Sequence, residues 1–429
     1  MAKPLIAGRV PAILPDKTAI SAAGPAAERP VLGGNLVSRI ALAAAAASLF
    51  AMPAAADITI AHVYGKTGPL EAYAAQSHTG LMMGLEYGTD GTMEVNGEKL
   101  VVIEKDTQLK ADLGKSLLAE AYGDDDAAIA VGPVSSGVAL AMLPVAEEYE
   151  RILIVEPAVA DSITGENWNR YIFRTGRNSS QDAVSNAVAL GQEDTVIATL
   201  AQDYAFGRDG VSAFREALAK TPAKLVHEEY VPQDTTDFTA AAERIFTALK
   251  DNPATHKKLF IIWAGANNPM GKINAMDPSR FGVEIATGGN ILAALKAYKE
   301  LPGMEGATYY YYDIPKNPVN DWLVTEHMKR FGTPPDFFTA GGMAAGLAIV
   351  EALKEANNDT DAETLISTLE GMEWQTPKGW MRFRPEDHQA MQSMYHFRIK
   401  VDPAVEWGIP ELVNEIEPID MDIPIRNTR

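Results

Sequence analysis

The sequence has no cysteine among its 429 residues. That removes disulfides, thiolate nucleophiles and Cys-ligated zinc or iron–sulfur centres together. Histidine is also scarce. His62, His78, His227, His256, His327, His388 and His396 show neither the His-x-x-x-His nor the His-Glu-x-x-His spacing of a zinc hydrolase. Positive charge is in deficit, with 37 Lys and Arg against 57 Asp and Glu, a formal net charge of −20. Such a field repels phosphate backbones and anionic headgroups, so nucleic acid is excluded as a partner. Neither a metal nor a cofactor is expected.

Long apolar runs are missing except near the N-terminus, where Arg39 precedes an Ala-rich stretch from Ile40 to Met52 and Pro53-Ala-Ala-Ala56 follows. This reads as a secretory signal over residues 1–56, with cleavage after Ala56 and a periplasmic product. The stretch is short of the roughly 20 strongly apolar residues that a membrane span needs. Residues 1–34 are long for a basic n-region and carry Pro4, Pro11, Pro15, Pro25 and Pro30, which suggests a later translational start. Removing 1–56, with Lys3, Arg9, Lys17, Arg29 and Arg39 against Asp16 and Glu28, takes the charge from −20 to −23.

What is present is an alternation of two periodicities. Strand-like runs at 58–63, 100–104, 127–131, 151–155, 194–200, 224–230, 258–263 and 282–287 are separated by helical spacing at 73–87, 112–122, 137–149, 211–220, 238–249 and 291–301. Such alternation implies parallel sheets flanked by helices, and this many units need two sheets. Ligands in such folds lie beyond the carboxyl ends of the strands. The turns after strands are therefore the place to look.

Three of those turns are informative. Tyr64-Gly-Lys-Thr-Gly-Pro-Leu-Glu-Ala-Tyr73 lacks the first glycine of a phosphate loop and runs into Pro69, so nucleotide binding is unsupported. Gly132-Pro-Val-Ser-Ser-Gly137 puts Val134, Ser135 and Ser136 at a helix start, where plain N-capping explains the hydroxyls as well as ligand binding does. Glu156-Pro-Ala-Val-Ala-Asp161 supplies Ala158, Val159 and Ala160 at the same sheet edge. No Gly-x-Ser-x-Gly elbow surrounds the serines of these turns, so hydrolysis has no support either.

From Asp57 onward the chain resembles the branched-chain amino-acid (Leu/Ile/Val) binding protein family of ABC transporters, of the type I periplasmic binding fold. The resemblance rests on Thr67-Gly-Pro69, Val131-Gly-Pro-Val-Ser-Ser136, Glu156-Pro-Ala158, Phe173-Arg-Thr-Gly176, Asp203-Tyr-Ala-Phe-Gly207, Thr236-Asp-Phe-Thr239 and Ile262-Trp-Ala-Gly265, all in order. It implies two Rossmann-like α/β lobes, residues 57–176 plus 309–387 and 177–308 plus 388–429. Three hinge strands would join them, near 174–178, 308–313 and 385–389. It also implies closure on a small solute, delivery to the membrane permease of an ABC importer, a monomer and no enzymatic activity.

Carried across residue by residue, the family's amino-acid site survives only in part. Ser136 matches its first serine and Ala158 its backbone contact, but Ala160 replaces the expected Ser or Thr, and Thr287-Gly-Gly289-Asn290 holds no carboxylate for an ammonium. A buried ammonium without a counter-charge is costly, so a different ligand is expected. Tyr73, Tyr204, Phe206, Trp263, Asn267, Asn290 and Tyr310, the last within the Tyr309–Tyr312 run read as a strand, offer aromatic and neutral polar walls. Among Arg174, Arg177 and Arg208, Arg177 is the choice for a ligand carboxylate. An interlobe or surface salt bridge would explain Arg177 equally well, and core packing would explain Trp263.

The whole run looks like the subgroup associated with aromatic acids from lignin breakdown, which implies a benzoate- or hydroxycinnamate-type ligand. The alternatives are a branched-chain or other amino-acid or amide binder, or a ligand-sensing regulatory subunit on the same fold. An export signal argues against a cytoplasmic regulator.

Overall fold

The computed structural model describes residues 57–427. The expected signal and its cleavage point lie outside the described residues. Among the described residues, sixteen strands and eleven α-helices follow in chain order. The helices are α1 (Glu71–Gly88), α2 (Ala111–Gly123), α3 (Ser136–Tyr149), α4 (Ser179–Leu190), α5 (Ala205–Leu218), α6 (Thr239–Lys250), α7 (Met270–Asn274), α8 (Leu292–Tyr298), α9 (Pro318–Phe331), α10 (Phe337–Glu355) and α11 (Ala362–Leu369).

The first sheet has the order β2 (Glu94–Val95), β3 (Glu98–Asp106), β1 (Ile58–Tyr64), β4 (Ile129–Val131), β5 (Ile152–Val155), β6 (Ile172–Arg174). All neighbours are parallel except β2 and β3, which turn through Asn96-Gly97, both at positive φ as a two-residue hairpin requires. The central strands β4 and β5 are wholly buried aliphatic runs, as expected where helices cover both faces of a parallel sheet. The second sheet is parallel throughout, β10 (Val283–Thr287), β9 (His256–Ile262), β7 (Thr195–Gln202), β8 (Lys224–Val231). Two antiparallel sheets complete the fold, β11 (Glu305–Thr308) with β15 (Met394–Lys400) and β16 (Ile409–Ile416), and β12 (Glu373–Thr376) with β13 (Gly379–Phe383) and β14 (Ala390–Met391).

The first core is built on α10, which sits against α1. Glycines let the two backbones touch: a Cβ on Gly80 would fall 2.0 Å from the Thr339 carbonyl oxygen, and one on Gly342 would fall 2.0 Å from that of Ser77. Asp336 starts α10 with a capping box completed by Thr339. The sequence showed no second apolar stretch long enough for a membrane span, yet α10 passes that test by length and composition. It is 89% buried inside the protein, which makes it a core helix.

Expectation and structure part at one further place. Tyr309–Tyr312 is not a strand. The strand is β11, just before it, and Tyr309, Tyr310 and Tyr311 are all buried. The C-terminal segment contributes to both cores: Met394, Ile416, Met421 and Ile423 join the first, Phe397 and Ile399 the second. Near the expected first and third crossings, Arg174 pairs with Gln389 as an isolated bridge. The fully buried Arg174 side chain donates to Gln389 Oε1 and to the Ala160 carbonyl, each at 2.6 Å, and to Thr164.

Candidate functional site

The turns beyond the parallel strands meet across a cavity of about 950 Å³ of empty space, its open mouth included. Gly132 takes φ +127°, and a Cβ there would sit 2.1 Å from the Val63 carbonyl oxygen, so a glycine is needed to lead the chain to Ser136. Ser136 Oγ accepts the Val159 and Ala160 N–H groups at 3.3 and 3.2 Å, tying the β4 and β5 turns together. Its hydroxyl proton is left to donate.

Of the expected residues, the cavity wall gathers Tyr73, Val134, Ser136, Val159, Arg177, Tyr204, Phe206, Trp263, Gly289 and Asn290. The other residues singled out in the sequence fall elsewhere. Ser135 is the N-cap of α3, Ala158 is buried, and Ala160 spends its carbonyl on Arg174. Asn267 is exposed at φ +57°, and Tyr310 turns into the first core, where its hydroxyl donates to Asn320 at 2.8 Å. The strand reading failed for Tyr310 because the chain bends after β11 and buries successive rings. Of the three arginines considered, only Arg177 reaches the cavity. Arg174 is structural, and exposed Arg208 pairs with Asp203 at 2.7 Å and covers the Tyr230 ring.

Sequence reading missed Asp182, a carboxylate in the cavity wall contributed by α4. The expectation that the second half places no acid in the groove is therefore corrected. Asn178 and Gln181 form a capping box that starts α4 immediately after Arg177, and that signature would have located Asp182 on the first turn. Asp182 Oδ1 accepts from Arg177 Nε at 2.9 Å. Burial raises the Asp182 pKa while Arg177 opposes it. Burial likewise works against the Arg177 charge, but Asp182 beside it holds the guanidinium above its ordinary value. Rings flank the guanidinium, Tyr309 at 4.9 Å and Phe337 at 5.1 Å. Behind it lie two further buried ionisable groups: burial pushes Glu156 up and Lys378 down.

Aromatic rings dominate the rest. Tyr73 packs on Phe338 at 4.4 Å and Tyr204 on Phe206 at 5.8 Å, while Trp263 meets Phe238 edge-on at 5.3 Å and donates to the Ala266 carbonyl. The two sides of the cleft are joined by hydrogen bonds. Ala266 N–H donates to the Pro69 carbonyl at 3.3 Å, Ser162 N and Oγ donate to Asp209 at 2.9 and 2.7 Å, and Leu292 N–H donates to Asp336 at 2.9 Å.

A family model described as periplasmic binding protein matches residues 57–404. The chain belongs to the periplasmic binding protein family. This family member is similar to the Leu/Ile/Val-binding protein homolog 6 of Brucella melitensis, 25% identical over 84% of this chain and 92% of the relative. It is 67% identical to a crystal structure described as an ABC-type branched-chain amino acid transporter from Rhodopseudomonas palustris CGA009, with a TM-score of 0.78, covering 87% of this chain and 100% of that one. The solute binding protein of an ABC transporter from Rhodopseudomonas palustris BisB5, in complex with 3,4-dihydroxybenzoic acid, is 24% identical with a TM-score of 0.74, over 86% of this chain and 99% of that one. That last likeness is one of fold. The protein is thus an ABC-type solute-binding protein of the type I periplasmic binding fold, in a family of transport proteins that reside in the periplasm.

Proposed function

We propose that this protein captures an aromatic carboxylate of the benzoate or hydroxycinnamate type between two hinged lobes and presents it, as a monomer, to the membrane permease of an ABC importer. The supporting observation is the cavity wall: Tyr73, Tyr204, Phe206, Trp263, Phe337 and Phe338 surround a single arginine. Flat rings gain burial and stacking against such walls, and a carboxylate gains charge-assisted bonds from a guanidinium. Arg177 keeps Nη1 and Nη2 for that purpose, since only its Nε is engaged by Asp182. The lobes are proposed to divide near 174–178, 308–313 and 385–389, and closure to carry no catalysis.

Asp182 supports a second reading. A carboxylate beside an arginine can pair with an ammonium, so a zwitterionic amino acid would find both partners in this cavity. The 67% identical structure described as a branched-chain amino acid transporter points the same way. Calorimetric titration against leucine, phenylalanine, benzoate and p-coumarate decides between them. Tight binding of leucine or phenylalanine with none of either aromatic acid selects the second reading and removes the first.

A further inference from the structure

Two helices carry the cavity wall inward. On α4, Ser179, Asp182, Ala183 and Asn186 line it, a stripe that advances about 10 Å at about 1.5 Å per residue. On α5, Phe206, Gly210 and Phe214 line it at steps of four, about 12 Å of helix. Both helices start at the carboxyl edge of the second sheet, because α4 leads into β7 and α5 follows it. The wall therefore runs from the Arg177–Asp182 pair down into the second half.

At the deep end the polar groups are already used. Thr287 Oγ1 donates to the Ile261 carbonyl at 2.8 Å; Asn186 donates to the Asp182 carbonyl at 2.8 Å and accepts the Ala307 N–H at 2.9 Å. What faces the space is hydrocarbon. Phe214 and Phe260 pack with ring centroids 4.4 Å apart, and the small residues Ala183 and Gly210 line the same wall. A Cβ on Gly210 would come 3.1 Å from Ile262 Cγ2, so even one added methyl narrows this end.

We propose that the solute is an elongated aryl acid, with apolar length beyond its carboxylate that a bare benzoate lacks, as in a cinnamate or a phenylalkanoate. The anion sits at Arg177 and the apolar end reaches toward Phe214 and Phe260. This rests on the aromatic-acid reading of the cleft. Calorimetric titration of the full protein and of Gly210→Ala and Ala183→Val with benzoate, cinnamate and 4-phenylbutyrate tests it. Cinnamate or 4-phenylbutyrate is expected to bind about tenfold or more tighter than benzoate. Each variant should lose more affinity for the longer acid than for benzoate. Benzoate binding as tightly as both longer acids, with the variants weakening all three alike, overturns the elongated ligand and leaves the aromatic-acid reading standing. Binding of none of the three acids overturns both. Thermal unfolding checks that the variants fold; should Ala183→Val fail, Gly210→Ala carries the test, since alanine favours the helix.

Discussion

The Tyr73 hydroxyl donates to Asn290 Oδ1 at 3.0 Å and accepts the Gly265 N–H at 2.9 Å, so one phenol from the β1 side of the cleft holds two points on the other side. Each bond contributes about 0.5–1.5 kcal/mol net. Tyr73→Phe keeps the ring on Phe338 and deletes both bonds. The variant should bind its solute several-fold more weakly, and small-angle scattering without solute should show a larger radius of gyration. An unchanged radius and affinity would remove Tyr73 as a clasp.

Arg177 and Asp182 form a part-buried pair, with side-chain exposures of 10% and 31%. Arg177→Ala leaves Asp182 without its partner, so both solute affinity and melting temperature should fall. Asp182→Asn removes the negative charge beside Arg177 and leaves an amide oxygen that can still accept from Nε. Under the aromatic-acid reading Asp182→Asn retains most carboxylate affinity, whereas under the amino-acid reading it abolishes binding. Titration of both variants separates the two.

His62 ties stability to pH. Its Nδ1 lies 3.0 Å from His78 Nδ1 with the rings nearly coplanar, and its Nε2 is buried without a partner. If His62 Nδ1–H donates to His78, the buried Nε2 is a bare lone pair and no N–H is orphaned. Burial, and secondarily His78, lower its pKa from 6.5 to about 3, while Glu104 opposes. Between those values the unfolded chain binds a proton that the folded chain refuses. Stability is therefore fully present above about 6.5 and is lost as the pH falls toward 3. Denaturant midpoints measured from pH 7 to 4 should decline, and more shallowly in His62→Phe. Equal slopes would assign the acid sensitivity to other groups.

Gly342 touches α1 so closely that a methyl group has nowhere to go. Its Cβ would meet the Ser77 carbonyl oxygen at 2.0 Å and the Leu81 nitrogen at 2.9 Å, both backbone atoms. Gly342→Ala must push two core helices apart, at a cost of about 1–3 kcal/mol or more. A melting temperature within a degree of the parent protein would show that the crossing is softer than its geometry.

Alternating periodicities were enough to read an α/β chain with two parallel sheets and to point at the turns beyond their strands. Period 2 and period 3.6 are local properties of the chain, and Ser136 could be placed at the cavity because turn chemistry is local too, whereas Arg177 was reached through the family resemblance. What lies opposite what is not local. Asp182 entered the cavity wall only because α4 begins directly after Arg177 with a capping box, and Phe337 and Phe338 only because α10 packs on α1 through glycines. Tyr310 left it because the chain bends after β11 and sends that ring toward Asn320. Strand and helix come from neighbours a few residues apart, whereas this cavity is made by residues as distant in the chain as Leu70 and Phe338, which share a wall only once the cores have packed.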